Sequence, residues 1–225
     1  DEFLAMLAHE LRNPLAPIGA AASLIKLARG DEVRLSRACD IISRQVKHMT
    51  GLVDDLLDVS RVTRGLVRLD RRIVDLKRVI ADAVEQARPL IEQRQHRLSV
   101  QTSPSPAFVM GDHNRLVQVL GNLLNNAAKF TPEQGRIGLV MEVNAGFAHL
   151  VVEDDGIGMS AETTASAFEL FSQAERTLDR SQGGLGIGLA LVKSLVDLHG
   201  GQVAARSPGP GRGSSGLAPA SPDTV

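Results

Sequence analysis

Tryptophan and tyrosine are absent from this 225-residue chain, and six phenylalanines supply all of its aromatic character. Stacking against a flat ligand therefore falls to very few side chains. A single cysteine, Cys39, excludes an intramolecular disulfide and any cysteine-based zinc cluster. It fits a reducing, cytoplasmic setting. An excess of either charge is also missing: 25 basic against 26 acidic residues give a net charge of −1. That balance excludes a general polyanion-binding role, so nucleic acid is not an expected partner, although a local basic pocket for one nucleotide stays open. No apolar run approaches the roughly 20 residues that span a bilayer, and no signal peptide appears. This stretch is therefore expected to make no membrane contact of its own, and a longer parent protein remains free to be membrane-associated. The first residue is Asp1, already within a helical pattern, and the chain reads as a piece excised from something longer.

Hydrophobic residues make up 43% of the chain, enough for a buried core in one large domain or two small ones. Residues 1–29 read as a helix, with Leu4, Leu7, Leu11, Leu15 and Ile18 recurring at spacings of three and four, within roughly 80° of one another at 100° per residue. "RGDE" at 29–32 interrupts the pattern, with Gly30 as stop and Asp31 as N-cap. A second helix over about 32–64 carries a stripe of Ala38, Ile42, Val46, Met49, Val53, Leu56 and Leu57. A helical hairpin buries one side of each helix, so a homodimer closing a four-helix bundle is the expected completion. Packing of the hairpin on its own C-terminal domain is the alternative.

After "RGLVRL" the pattern changes to mixed α/β. "DLKRVIADAVEQARPLIEQR" is a helix with Asp75 as cap, "HRLSVQTS" and "AFVMGD" are strands around the turn "SPSP", and "DHNRLVQVLGNLLNNAAKF" is a long helix. "RIGLVMEVNAGFAHLVVEDDG" reads as a hairpin turning at 144–146. "SAETTASAFELF" is helical, "LALVKSLVDLHGG" is a further helix and "QVAARS" a short strand. From Ser207 the composition turns to Pro, Gly and Ser, the signature of a flexible tail. The expected domains are thus 1–66, 67–206 and a tail over 207–225.

Four short clusters carry chemistry. "HELRN" at 9–13 sets a histidine beside an acid on a helix; position 13 is Asn, so the H-E-x-x-H pattern of a zinc protease is not met. His9 lies about 180° from the centre of the leucine stripe, with Asn13 about 40° from it, so the imidazole is expected to face away from the bundle core. A near-neutral pKa leaves such an imidazole nucleophilic at physiological pH. In "NLLNNAAKF" at 122–130, Asn122, Asn126 and Lys129 share one helix side; amide oxygens can complete a mostly hydrated magnesium shell and the lysine can meet phosphate. A solvated polar face would look the same. In "VEDDGIGM" at 152–159 a strand runs into two acids and a G-x-G. An aspartate there can accept from an exocyclic amino group, with Gly156 and Gly158 letting backbone approach a flat base. An ordinary turn after a strand fits equally. "GGLGIGLALVK" at 183–193 sets Gly184, Gly186 and Gly188 before a helix whose amide end attracts phosphate, but it is neither G-x-G-x-x-G nor a P-loop.

Together, and in this order, these clusters resemble the bacterial sensor histidine kinases. "FLAMLAHELRNPL" resembles the H box, "NLLNNAAKFT" the N box, "EDDGIGM" the G1 box, "FELFSQAE" the F box and "GGLGIGLALVK" the G2 box, over roughly residues 1–206. The stretch from "ERTLDRSQ" onward is similar to the hybrid-type branch. The resemblance implies a helical dimerisation and phosphotransfer domain followed by a Bergerat-type ATP-binding α/β sandwich. It implies that ATP phosphorylates His9 and that the group passes to an aspartate on a response-regulator receiver domain. Glu10 then matches the acid/base residue beside the histidine, and Asn13 the polar residue near the transferring group, also tied to phosphatase activity. Asn126 would bind Mg2+, Asn122 and Lys129 would lie toward the phosphates, Phe130 would pack on adenine, and Asp154, Gly156 and Gly158 would form the adenine wall. Phe168 and Phe171 would anchor a lid over 172–186, with Arg180 on the γ-phosphate and Gly184, Gly186 and Gly188 on the phosphate side. The C-terminus departs from the family: "SGLAPASPDTV" lacks the usual F-x-V-x-L-P alternation, so a sheet missing or altered at one strand is expected. That departure keeps open a noncatalytic, nucleotide-responsive dimeric signalling scaffold; a Bergerat ATPase of the Hsp90, gyrase or MutL kind is a third reading.

Overall fold

The computed structural model describes residues 2–28, 31–144, 147–172 and 185–220, without the side chains of residues 2–6, 9, 63 and 217–220. Two long helices come first, α1 (Glu2–Leu27) and α2 (Glu32–Thr63). Asp31 caps α2 by accepting a hydrogen bond from the Arg34 amide at 3.0 Å. Pro14 and Pro17 lie inside α1, which continues past both.

The hairpin seam follows a three-four repeat. On α1 it runs through the buried or half-buried Leu7, Leu11, Pro14, Ile18, Ala21, Ile25 and Ala28; on α2 it runs through Leu35, Ala38, Ile42, Gln45, Met49, Leu52, Leu56 and Val59, with Glu10, Ile41, Asp55, Asp58, Ser60 and Val62 half-buried beside it. This period of 3.5 is the coiled-coil one, and it corrects the stripes expected from the sequence. Leu15 is 52% exposed, and Val46, Val53 and Leu57 form a separate exposed row on α2. The apolar residues of α2 thus belong to two faces rather than one.

The α/β part begins with a strand that the sequence reading did not separate from the inter-domain boundary, β1 (Arg72–Asp75). Then come α3 (Leu76–Gln93), β2 (Arg97–Thr102), β3 (Phe108–Gly111), α4 (His113–Phe130), β4 (Arg136–Asn144), β5 (Phe147–Asp154), the short α5 (Ala161–Ser166), α6 (Gly188–Leu198), β6 (Ala204–Arg206) and β7 (Ser214–Ala220). Asp75 and Asp112 cap α3 and α4 through the amides of Lys77 and Arg115. β2 and β3, on either side of "SPSP", do not pair with each other. β3 pairs antiparallel with β1, whereas β2 runs parallel to β4 in a five-stranded sheet of order β2-β4-β5-β7-β6.

Alternate residues of β4 and β5 decide which face is covered. Ile137, Leu139, Met141, Ala148, Leu150 and Val152 are buried, and the residues between them are not. The buried row shares one core with the apolar faces of α3, α4 and α6. Leu124 and Leu191 there are essentially inaccessible, and truncating such a leucine to alanine costs about 2–5 kcal/mol.

The expected flexible tail is corrected over most of its length. Residues 214–220 form β7, inserted between β5 and β6 with Val152 opposite Gly216 and Ala205 on the other side of Gly216. Main-chain pairing on both sides does not require alternating large side chains. A residue with little side chain is also what fits: a Cβ on Gly216 would meet Leu123 Cδ2 of α4 at 3.2 Å. Residues 221–225 lie outside the described residues.

Candidate functional site

Three of the sequence clusters meet where the C-terminal half of α4, the end of β5 and the start of α6 converge. The C-terminus of α4 touches the turn after β5: the Ile157 amide donates to the Phe130 carbonyl at 3.1 Å. Gly156 lies so close that a Cβ would sit 2.5 Å from that same carbonyl oxygen and 2.7 Å from Asp154 Oδ1. Gly156 is therefore required by the approach of its own chain to α4. Asn122, about two turns upstream on α4, donates to the Gly188 carbonyl at the first turn of α6, at 3.4 Å. Ile187 caps α6 with no side-chain hydrogen bond, so among the described residues no side chain at the cap position satisfies the leading amides of this helix.

Asp154 is half-buried at the end of β5. Its Oδ1 accepts from the Gly156 amide at 2.9 Å and its Oδ2 from Ser214 Oγ at 2.5 Å, so the carboxylate is held in one orientation. Asp155 turns to the strand edge instead. Hydrogen bonds from the Arg136 backbone amide at 2.7 Å and from its guanidinium hold this carboxyl below the usual carboxylate range.

The glycine-rich stretch 207–213, expected to belong to the tail, is docked on the turn after β5. Ser207 Oγ accepts from the Met159 amide at 2.9 Å and donates to the Gly213 carbonyl at 2.7 Å. Gly213 N donates to the Gly156 carbonyl at 3.0 Å and Gly211 N to the Ile157 carbonyl at 2.6 Å. Gly158 has φ +64°, and a Cβ there would run into the Gly209 carbonyl oxygen. Ser207 and Ser214 are site residues that the sequence reading missed. Their only signal was their place among glycines, which read as disorder.

Asn126 and Lys129 are half-buried on the same side of α4 as Asn122, while Phe130 is 44% exposed. The Lys129 ammonium lies 5.2 Å from the centre of the Phe130 ring. Burial lowers the Lys129 pKa, and the negative charge of Glu10 on α1 opposes that shift. Glu10 is itself half-buried and Asn13 exposed. The side chain of His9 lies outside the described residues, and its expected outward orientation with it.

The third junction involves Phe171 and Gly186. The Phe171 amide donates to the Gly186 carbonyl at 3.1 Å, and Phe171 itself adopts φ +67°, a conformation that phenylalanine rarely takes. Phe168 packs on the main core. Arg180, Gly184 and most of the expected lid lie outside the described residues.

A metal would find no carboxylate cage: among the described residues no three of His, Cys, Asp and Glu converge. The donors that do face the convergence are the amides of Asn122 and Asn126, which suit a magnesium ion that keeps most of its water and takes its anionic ligands from a bound phosphate chain. The desolvated ammonium of Lys129 and the amide end of α6 are matching groups for that chain.

Two family models match. The His Kinase A (phospho-acceptor) domain covers residues 1–65, and the histidine kinase-, DNA gyrase B- and HSP90-like ATPase covers residues 111–216. The circadian input-output histidine kinase CikA of Thermosynechococcus vestitus is 34% identical over 207 residues, 90% of this chain and 28% of CikA. The chain spans roughly a quarter of the length of the curated relatives it matches. Among solved structures, full-length ShkA in complex with AMPPNP is 29% identical with a TM-score of 0.70, over 97% of this chain and 45% of that one. The mycobacterial sensor histidine kinase MprB is 31% identical with a TM-score of 0.59, over 67% of this chain and 99% of that one. With a phospho-acceptor module over the helical hairpin, an ATPase module over the sheet, and a sensor histidine kinase, MprB, 31% identical over nearly its whole length, the chain belongs to the sensor histidine kinases.

Proposed function

We propose that this chain is the catalytic core of an ATP-dependent protein-histidine kinase that phosphorylates its own His9 and passes the group to an aspartate of a response-regulator receiver domain. The observation that carries the reading is the convergence of Asn122 with Gly188 and of Phe130 with Gly156 and Ile157 around one end of α4, beside a half-buried lysine, Lys129, that feels Glu10 of the helical hairpin. An ATPase of the gyrase or Hsp90 kind has no use for that last neighbour. ShkA, whose structure holds AMPPNP, supports ATP as the nucleotide. The hybrid kinase of Dictyostelium discoideum, 30% identical over 208 residues, supports the hybrid-type branch, with a receiver domain elsewhere in the same or another protein.

In this reading Asp154 accepts from the adenine amino group, its carboxylate pre-oriented by Ser214 and the Gly156 amide, and Gly156 and Gly158 shape the wall below it. Phe130 offers its exposed ring to the base. Asn126 supplies an amide oxygen to Mg2+, with Asn122 beside it; the ion, when bound, neutralises charge on the phosphates. Lys129, the amide end of α6 at Gly186 and Gly188, and the Arg180 and Gly184 of the lid bind the phosphate chain. Glu10 accepts the imidazole proton as His9 attacks the γ-phosphorus, and Asn13 orients the transferring group, in phosphatase activity as well. The exposed row of Val46, Val53 and Leu57 supports a homodimer through the helical hairpin. No described helix is long and apolar enough to cross a membrane; a cytoplasmic place for the core goes with its ATP chemistry.

The test is incubation of the purified dimer with γ-labelled ATP and magnesium. The expected product is an acid-labile, base-stable label on the protein, absent from His9→Gln. Nucleotide binding without any label would replace this reading by that of a noncatalytic signalling scaffold, and steady phosphate release without a labelled protein by that of a simple ATPase.

A further inference from the structure

The helical hairpin and the α/β part do not merely adjoin; a polar group of α2 is spent on holding them together. Asp58 Oδ2 accepts two hydrogen bonds from α4, one from Arg115 Nη1 and one from Gln118 Nε2, both at 2.7 Å. Arg115 Nη1 also donates to Gln118 Oε1 at 2.7 Å, which closes a three-membered network. The Asp58 side chain is 14% exposed and that of Arg115 26%. Burial raises the Asp58 carboxyl, but the hydrogen bonds from Arg115 and Gln118, with the charges of Arg115 and Arg61, outweigh it and hold the group below the usual carboxylate range. A partly buried carboxylate shared between two donors fixes a geometry more strictly than apolar packing does, because removal of either side leaves a polar group without its partner.

The network sits in an apolar frame. Leu52 and Val59 of α2 belong to the same continuous core as Leu116, Leu120 and Leu195 of the α/β part. Arg115 and Gln118 are in the first two turns of α4, and Lys129 is in its last. The axial rise between Arg115 and Lys129 is about 21 Å at 1.5 Å per residue. α4 is thus tied to α2 near its start and is close to Glu10 of α1 at its end.

We propose that Asp58, Arg115 and Gln118 form an inter-domain clasp that docks α4 along the helical hairpin, and that Asp58 is a positioning residue for histidine phosphorylation. The clasp lies at the opposite end of α4 from Asn126 and Lys129. It holds the nucleotide-binding domain in the one arrangement in which the phosphate-side end of α4 faces the HELRN turn of the same chain. The proposal rests on the autokinase reading above, and the two fail in different ways.

The experiment uses the full chain with Asp58→Ala, Asp58→Asn, Arg115→Ala and the Asp58→Ala/Arg115→Ala pair. At saturating ATP, labelling of His9 is expected to slow about tenfold in each single variant, with the double variant no slower than either single one. The dissociation constant for a nonhydrolysable ATP analogue is expected to stay within about twofold of the parent's, which a general loss of folding would not leave intact. Small-angle scattering is expected to show a larger radius of gyration in Asp58→Ala than in the parent. Asp58→Asn, which keeps shape and loses charge, carries the test if the alanine variant does not fold. Unchanged or faster labelling, additive losses, or weakened analogue binding in step with the rate would each overturn the clasp as a positioning device. A parent chain that never labels overturns the autokinase reading alone; scattering then judges the clasp, and an unchanged radius in Asp58→Ala overturns it.

Discussion

One turn before Asp58, the Asp55 carboxyl is pushed up to about 6, by burial first and then by the negative charges of Asp58 and Asp54. Two neighbouring acids on one helix therefore answer their surroundings in opposite senses. Asp58 has donors on α4 and stays ionised; Asp55 is repelled by the very charge that the donors stabilise. For Asp55 the folded-state pKa exceeds the unfolded one, so its favourable contribution is complete below about 4 and is lost as pH rises through about 6. Asp55→Asn is therefore expected to raise stability at pH 8 by about 1–2 kcal/mol, a figure reduced for partial solvent access, and to change little near pH 4. Denaturant melts of the two proteins at both pH values read this directly. A stabilisation that is equal at both, or absent at pH 8, contradicts the assignment.

Among the elements, helices were the legible part. The caps Asp31, Asp75 and Asp112 sit where a short acid precedes a periodic run, and α2, α3 and α4 start there. The β4–β5 hairpin was legible because alternation marks a sheet with one covered face. β1 and β7 were not. Only Val74 is buried in β1, too little to set a period, and β7 owes its existence to main-chain pairing on both sides. Glycine and asparagine spacing pointed to residues that the structure brings together, Asn122 with Gly188 and Phe130 with Gly156. It carried no sign that Gly156 and Gly158 are also crowded by Phe130 and by the 207–213 stretch.

The same geometry sets a prediction. Ending the chain at Gly213 removes the strand between β5 and β6 and the Ser214 hydroxyl from Asp154. The α/β part is expected to lose its cooperative thermal transition and its affinity for nucleotide, while the helical signal of α1 and α2 in circular dichroism persists. A shortened chain that melts and binds as before would mean that β7 is dispensable. Gly158→Ala is the milder version. With φ +64° and a carbonyl in the path of its Cβ, it is expected to cost about 2–4 kcal/mol by thermal unfolding, without removing any hydrogen-bonding group.

At the scale of the whole molecule, the hairpin leaves apolar surface that the α/β part does not cover. Ile42, Met49, Leu52, Leu56 and Val59 lie along the seam with a period of 3.5, and the last three also reach the core of the α/β part. Val46, Val53 and Leu57 remain 50%, 44% and 48% exposed and fall within about 40° of one another around α2. A row of three large aliphatic side chains on one face of a 32-residue helix has the form of a second seam. Two hairpins joined through it bury both rows and complete four helices around one core, whereas packing of the α/β part against α2 has already used the neighbourhood of Leu52, Asp58 and Val59. A lysine at position 53 would carry its charge into the middle of that second seam without touching the first. Val53→Lys is therefore expected to weaken self-association by about 100-fold or more, because an unpaired charge buried in an apolar contact costs several kcal/mol. Its helical content and the melting of the α/β part are expected to change little. Sedimentation equilibrium over a range of concentrations distinguishes the outcomes: a monomer at concentrations where the parent is dimeric supports the second seam, and a variant that stays dimeric means that the two chains meet through some other face.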